Sequence, residues 1–545
     1  MADFRKWFLV LAVLAAFVIP ASAQTVCTVS STNQPVRAEG IAELVGSVSL
    51  ICAPAPGTTP AATTASFIAF FGANVTSPIT DAATLQTAAV LTSPAVGSTP
   101  TRGTLSGTNS LIFNNVSVPA AGGIFTISGV RVNASNAAVG SNITVIMSAS
   151  SPANDVLFNG IPTTQVATVQ TGLEFSTATT GSTAVPASFT QCSAPTIKLI
   201  DLNFKEGFAA AFKGLGQENA AAVPPGTATQ GTRLFASFGA VPGNVNIAVP
   251  GFLPTTATSI ADATAILVGF DNTVGGNSLP ITAVPGTLTP IKASTDPNNL
   301  GSAFSSGGFL VPLSGGAGVA VYELTGTGLT AAGVETVTLT AALQITSGVA
   351  TTTTAVGTVS GGFAPVSTVV TAVPATGTGS APIPRFVNVA VQNKPLLSVA
   401  PCVTNLLFPF VTNQAGFDTG IALVNTSLDN AGSKAPFNTT PQHGSCTVFF
   451  FNGTTSAPTP QTTADIPAGG MAAFNLQGGD AAGFQGYIIA QCNFQFAHGF
   501  AFISDRNNPS LGSQGYLALV IPDRGGARPA LPFTTNPGTG EMLAQ

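Results

Sequence analysis

The sequence predicts an all-β protein: three tandem β-sandwich-like domains after a cleaved signal peptide. Short runs rich in Val, Ile, Thr and Phe, separated by Gly, Pro and Asn, recur along the 545 residues. That is the pattern of strands between turns. The chain is 45% hydrophobic and contains 36 Phe, too much apolar material for disorder despite its 59 Gly and 40 Pro. Apolar residues at helical spacing are scarce.

In chain order, Arg5 and Lys6, an apolar run over 8–19 and Ala21-Ser22-Ala23 form the three parts of a secretory signal. Residues 1–23 are therefore expected to be removed. The apolar run is shorter than the roughly 20 residues that span a bilayer. The first domain, 24–192, has strand-like runs at 110–118, 123–133 and 142–148. The middle domain, 193–370, has them at 263–270, 319–324 and 334–346. Within it, Phe204, Phe208 and Phe212 recur every fourth residue across 202–214, which suits one face of a helix or of a strand. Residues 371–384 (TAVPATGTGSAPIP) read as a Thr/Pro/Gly linker. The C-terminal domain, 385–525, precedes a polar Pro/Gly-rich tail, 526–545, expected to be flexible.

The C-terminal domain carries the sharpest pattern. Strands are expected at 406–411 and 420–424, joined by the polar loop 412–416, and at 446–451 and 487–502. Cys492, Phe494, Phe496, His498, Phe500 and Phe502 alternate with Asn493, Gln495, Ala497, Gly499 and Ala501. Strict alternation makes the aromatic side the expected buried face. It sets His498 among phenylalanines, where desolvation favours the neutral ring.

An even six cysteines in an exported chain point to disulfides. Cys27 with Cys52 and Cys446 with Cys492 would each staple a local module. Cys192 with Cys402 follows only by exclusion. No CxxC spacing suggests a zinc or redox site.

Charge is scarce. Asp, Glu, Lys and Arg make up 7% of the chain, against about one-quarter in a typical soluble domain. The net charge is −5, with no basic stripe, so nucleic-acid binding is not expected. His443 reads as a solvated loop residue, and two histidines in separate contexts give no metal motif. A triad of His498, Ser504 and Asp505 would have to converge from roughly 20 Å along one strand. Glu39 and Glu43 fall on one strand face roughly 13 Å apart and are expected at a solvated edge. The segments 296–299 and 505–508 read as oxygen-rich turns rather than calcium loops. Asn74, Asn425 and Asn452 head NxS/T triplets that composition alone explains. Three Tyr and one Trp, Trp7, leave little for the aromatic girdles of an outer-membrane barrel.

Four stretches, VRAEGIAELVGSVSLIC (36–52), FTISGVRVNAS (125–135), TNLLFPFVTNQAGFDTGIALVNTS (404–427) and GFQGYIIAQCNFQFAHGFAFISD (483–505), resemble an uncharacterised family of secreted bacterial β-rich surface proteins. The resemblance covers both ends of the chain and implies no activity or binding residue.

These readings converge on an exported, non-enzymatic surface or extracellular protein with a structural or adhesive role. No cofactor, metal or catalytic residue is expected, nor any membrane span after cleavage. Its partners would be further copies of itself or other envelope components. A polysaccharide-binding protein is the alternative and a secreted hydrolase the third.

Overall fold

The computed structural model describes residues 24–181, 183–191, 197–219, 228–257, 259–270, 300–304, 307–345, 354–388, 393–400, 402–428, 441–452, 457–478, 481–507 and 512–521. Within them the chain is all-β, organised around three large hydrophobic clusters. The signal peptide, the tail, Cys192 and the turn at 296–299 lie outside the described residues.

Besides a separate two-stranded sheet, Glu43–Leu44 with Arg131–Val132, the N-terminal module has a 12-stranded sheet. Alternation sets its faces: in Thr63–Phe71, Ala65, Phe67, Ala69 and Phe71 point inward and their neighbours do not. The sheet doubles over until its ends meet. Ser31 Oγ lies 2.8 Å from Thr164 Oγ1, and Gly46 N–H donates to the Val166 carbonyl at 2.9 Å. Phe67, Phe113, Phe125, Val145 and Val166 fill the interior. Each such side chain stabilises the fold by roughly 1.5–3 kcal/mol.

The middle module packs a five-stranded on a seven-stranded sheet. The ambiguous 202–214 stretch is strand only as far as Glu206, where Ile197–Glu206 pairs along its length with Thr336–Ile345, and continues as turn and irregular chain. Phe204, Phe208 and Phe212 are all buried, so a shared destination in the core, not a helix, explains their spacing. Helix appears only later, at Leu215–Asn219.

Strand pairing divides the chain differently from the sequence expectation. Leu173–Thr179 and Ala187–Thr190, assigned above to the first domain, belong to the two middle sheets. Lys394–Ala400, assigned to the C-terminal domain, pairs antiparallel with Ala355–Ala364 in the middle module. Nor is 371–384 a free tether. Ile79 N–H donates to the Val373 carbonyl and Ala375 N–H to the Ile79 carbonyl, both at 2.8 Å. Ile383 and Phe386 are buried. Apolar residues inside a Pro/Gly-rich stretch turn it into a strap between modules.

The C-terminal module is a sandwich of five and four strands. The run 487–502 is not one strand. Gln485–Cys492 lies in the five-stranded sheet, and Ala497–Asp505 in the four-stranded one. Between them Phe496 adopts φ 60°, and this break reverses the expected face. Ala497, Gly499 and Ala501 point inward, whereas Phe500 (42% exposed) and Phe502 (44% exposed) point outward. Close sheet approach gives the reason: a Cβ on Gly499 would stand 2.5 Å from the Phe408 ring and 3.0 Å from Ala518. Small residues are needed inside.

Two disulfides link directly opposed residues of neighbouring strands. Cys27 bonds Cys52 in the N-terminal sheet, and Cys446 bonds Cys492 in the C-terminal one. Cys402 is also disulfide-bonded.

Candidate functional site

Part of the scarce charge is buried. Arg37, Glu43, Arg131, Glu206, Glu218, Arg233, Glu323, Arg385 and Asp418 are buried. Arg37, Glu43, Arg131 and Glu218 meet where the N-terminal module contacts the middle one. The sequence expectation of a solvated Glu39/Glu43 edge fails here, since Glu43 is 2% exposed and Glu39 is half-buried.

Local structure delivers each group. Arg37 ends the strand Gln34–Arg37, and a tight turn follows in which Gly40 N–H donates to the Arg37 carbonyl at 3.0 Å. Any Cβ at Gly40 would collide with the Glu43 side chain, at 2.1 Å from its Oε1, so glycine lets the carboxylate fold back onto the guanidinium. Glu43 and Arg131 come from adjacent antiparallel strands, Glu43–Leu44 and Arg131–Val132. Glu218 arrives from the middle module on the helix Leu215–Asn219.

Every nitrogen of the Arg37 guanidinium has an acceptor. Nε donates to Glu43 Oε1 at 2.9 Å, and Nη2 pairs with Glu43 Oε1 at 2.8 Å and Glu218 Oε1 at 2.9 Å. Nη1 donates to the Ala211 carbonyl at 3.0 Å and to Thr232 Oγ1 at 2.8 Å. The guanidinium carbon lies 4.9 Å from the centre of the Phe386 ring and 5.7 Å from that of Phe363, and the two rings stack at 4.5 Å. Arg131 donates through Nη1 to the Ala42 carbonyl and through Nη2 to the Glu218 carbonyl, each at 2.8 Å. Thr232 Oγ1 donates to Glu218 Oε1 at 3.1 Å.

Burial penalises each charge, and pairing decides the outcome. Burial alone would push the Glu218 carboxyl up, but Arg37, Lys213 and Arg131 together hold it down at about 2. Arg37 is opposed by burial too, yet Glu43 and Glu218 keep it above its ordinary value. Arg131 is pushed down by burial, which Glu218 only partly offsets. Arg385 is pushed down to about 10, by burial and then by the charge of Arg131. It donates through Nε to the Val369 carbonyl and through Nη2 to that of Thr371, which pins the strap. A second buried pair, Arg233 Nε to Glu323 Oε2 at 2.9 Å, joins opposed residues within the middle sheet.

The other sequence candidates do not form a reacting centre. His498, Ser504 and Asp505 lie along one extended strand and pair in order with Val424, Asp418 and Phe417. His443 pairs with Asp465 at 3.0 Å, and both are exposed. Asp505 Oδ1 accepts from Asn507 N–H at 2.8 Å, as in a polar turn. Asn425 is buried, its amide donating to the carbonyls of Gln442 and Ile466, so it presents no surface for a glycan. In the loop of the FPFVTNQAGFDTG stretch, Thr412 and Thr419 bond reciprocally at 2.9 Å and Asn413 Nδ2 donates to Asp418 at 2.8 Å. That motif fixes a strand connection. Among the described residues no three His, Cys, Asp or Glu side chains gather as a metal-ligand set. No helix there is long and apolar enough to cross a membrane.

The ionic cluster had a trace in the sequence. In a chain so poor in charge, Arg37 after Val36 and Arg131 between Val130 and Val132 are charges inside strand-like apolar runs. Such residues are buried only when paired.

No family model matches the chain, and no curated protein matches it. Solved structures similar to it include BcpA, the major pilin subunit of Bacillus cereus, at 9% identity and TM-score 0.21 over 83% of this chain and 95% of that one. The C-terminal domain of the AgI/II polypeptide BspA of Streptococcus agalactiae matches at 7% identity and TM-score 0.25, over 69% and 99%. The major pilin SpaD of Corynebacterium diphtheriae matches at 9% and 0.20, over 90% and 88%.

Proposed function

We propose that this protein is an exported, non-enzymatic structural or adhesive component of a cell surface. In this reading the N-terminal and middle modules form one stiff unit. The observation that carries it is the buried Arg37–Glu43–Glu218–Arg131 junction. All three Arg37 guanidinium nitrogens and both Arg131 Nη atoms bond fixed partners within the fold, and the charges the junction uses come from a chain with only 16 Lys and Arg and 21 Asp and Glu. Spending them at a module boundary supports rigidity under load rather than turnover. The exterior left behind is poor in charge and rich in Thr and Ser, so little electrostatic repulsion opposes side-by-side association.

Fractionation of the native host, followed by electron microscopy of its envelope and of the purified protein, tests the proposal. Surface retention with ordered assemblies is expected. Dispersed monomers released to the medium would refute it. Outward aromatics such as Phe500, Phe502 and the stacked pair Phe451 and Tyr487 favour glycan binding as a second reading. Retention on insoluble polysaccharide in a pull-down would support that reading.

A further inference from the structure

Beside the ionic junction, a cavity of about 60 Å³ opens between the modules. Glu39 of the N-terminal module faces Phe175, Phe235, Phe363 and Val366 of the middle one, with Asn388 at its rim. Two glycines shape the walls. Gly362 stands opposite Phe235 in the sheet register, and a Cβ on Gly361 would lie 2.3 Å from the Phe175 ring. The two glycines leave opposite faces of the strand Ala355–Ala364 bare, so Phe175 and Phe235 approach it from either side, and Phe363 of the same strand completes the lining.

The chemistry of this space is one carboxylate on an aromatic wall. Both Glu39 oxygens accept from the Gly172 N–H, at 2.9 and 3.2 Å, and the carboxylate is also held by its own backbone N–H, which still leaves acceptor capacity. Arg37 is near but has no donor to give, because its guanidinium N–H groups go to Glu43, Glu218, Thr232 and the Ala211 carbonyl. Burial pushes the Glu39 carboxyl up, the mark of an anion short of compensation. An anionic ligand would be repelled, and a purely apolar one would strip water from the carboxylate with nothing in return. A primary ammonium donates to the carboxylate and is attracted to ring faces. A single water fills roughly 10–15 Å³ of such a space, so the cavity suits an alkylammonium of about five heavy atoms.

We propose that the cavity between Glu39 and the Phe175–Phe235–Phe363 wall binds a short alkylammonium group, with the ammonium on Glu39 and the alkyl chain along the rings. A free amine and the end of a lysine side chain share this chemistry. The site does not depend on the surface role proposed above.

Saturation-transfer NMR on the full chain tests it, with n-butylammonium chloride as probe and n-butanol as its neutral match. Transfer to n-butylammonium is expected, with n-butanol at background. Glu39→Gln keeps an acceptor for Gly172 N–H but removes the charge, and it should reduce transfer to the n-butanol level. Val366→Trp, which fills the cavity and leaves Glu39 in place, should do the same and carries the test if Glu39→Gln does not fold. Displacement of n-butylammonium by N-acetyl-lysine methylamide would identify a lysine side chain as the source, and failure to displace it a free amine. Equal transfer to n-butanol, or undiminished transfer in both folded variants, would overturn the proposal. Surface retention of the protein is a separate readout, so either idea can fail without the other.

Discussion

Glu218→Gln isolates the charge at the module junction. The substitution keeps side-chain volume and one acceptor while removing the anion that Arg37, Lys213 and Arg131 surround. The Glu218 carboxyl falls from an ordinary 4.5 to about 2 on folding. At roughly 1.4 kcal/mol per pKa unit, that depression corresponds to about 3 kcal/mol of stability. Because the folded value is the lower one, this contribution is fully present above pH 4.5 and is lost as pH falls through about 2. Glu39, Glu206 and Glu323 are pushed up by burial and act in the opposite direction, so the acid stability of the wild type alone decides nothing. The difference between wild type and Glu218→Gln is the diagnostic quantity. Urea unfolding should place the variant about 3 kcal/mol below wild type at neutral pH, with the gap closing toward zero in strong acid. A chain of several modules need not unfold in one step, so the transition is read by hydrogen exchange at residues 37–44 and 211–219. A gap of the same size at both pH values would show that packing, not charge, holds the junction and would refute the reasoning.

Two further predictions concern the C-terminal sandwich. Phe408→Ala should cost about 3–5 kcal/mol because Phe408 is fully buried, whereas Phe500→Ala, on the outward face, should cost less than about 1 kcal/mol. Equal losses in thermal melts would restore the buried aromatic face that strict alternation suggests. Removing the Cys446–Cys492 bond as a double Ala variant should destabilise the module by about 4 kcal/mol on the loop-entropy model, given a separation of 46 residues. A urea midpoint unchanged from wild type would contradict this.

The β architecture was legible because composition and period-two alternation are local signals. Ser110–Val118, Gly318–Leu324 and Thr336–Ile345 form within a residue or two of where the sequence sets them. Within the Cys492–Phe502 stretch, alternation also set Cys492 and Phe494 inside, but not the residues beyond Phe496, where the buried side passes to Ala497, Gly499 and Ala501. One residue at φ 60°, Phe496, separates the stretch into strands of different sheets, and the space between sheets admits only Ala and Gly. Module limits were misread for a similar reason. Leu173–Thr179 and Lys394–Ala400 carry no mark of the partner they hydrogen-bond. The half-buried Glu39 and the buried Glu43 were read as exposed because a carboxylate in a sequence is solvated by default; Arg37 is only six residues from Glu43, but the middle module that helps to bury the pair lies far along the chain.

The sequence by itself determined the strand-rich class, the poverty of charge and the residues available for pairing. Faces and periods are written in neighbours a few positions apart. Tertiary structure decided where the charges went: Arg37 and Glu218 are 181 residues apart yet 2.9 Å from each other. Burying an ion is unfavourable until its partner arrives, and that compensation exists only once both modules have folded and docked. The same contact turned a set of scattered charges into the joint that couples the two modules.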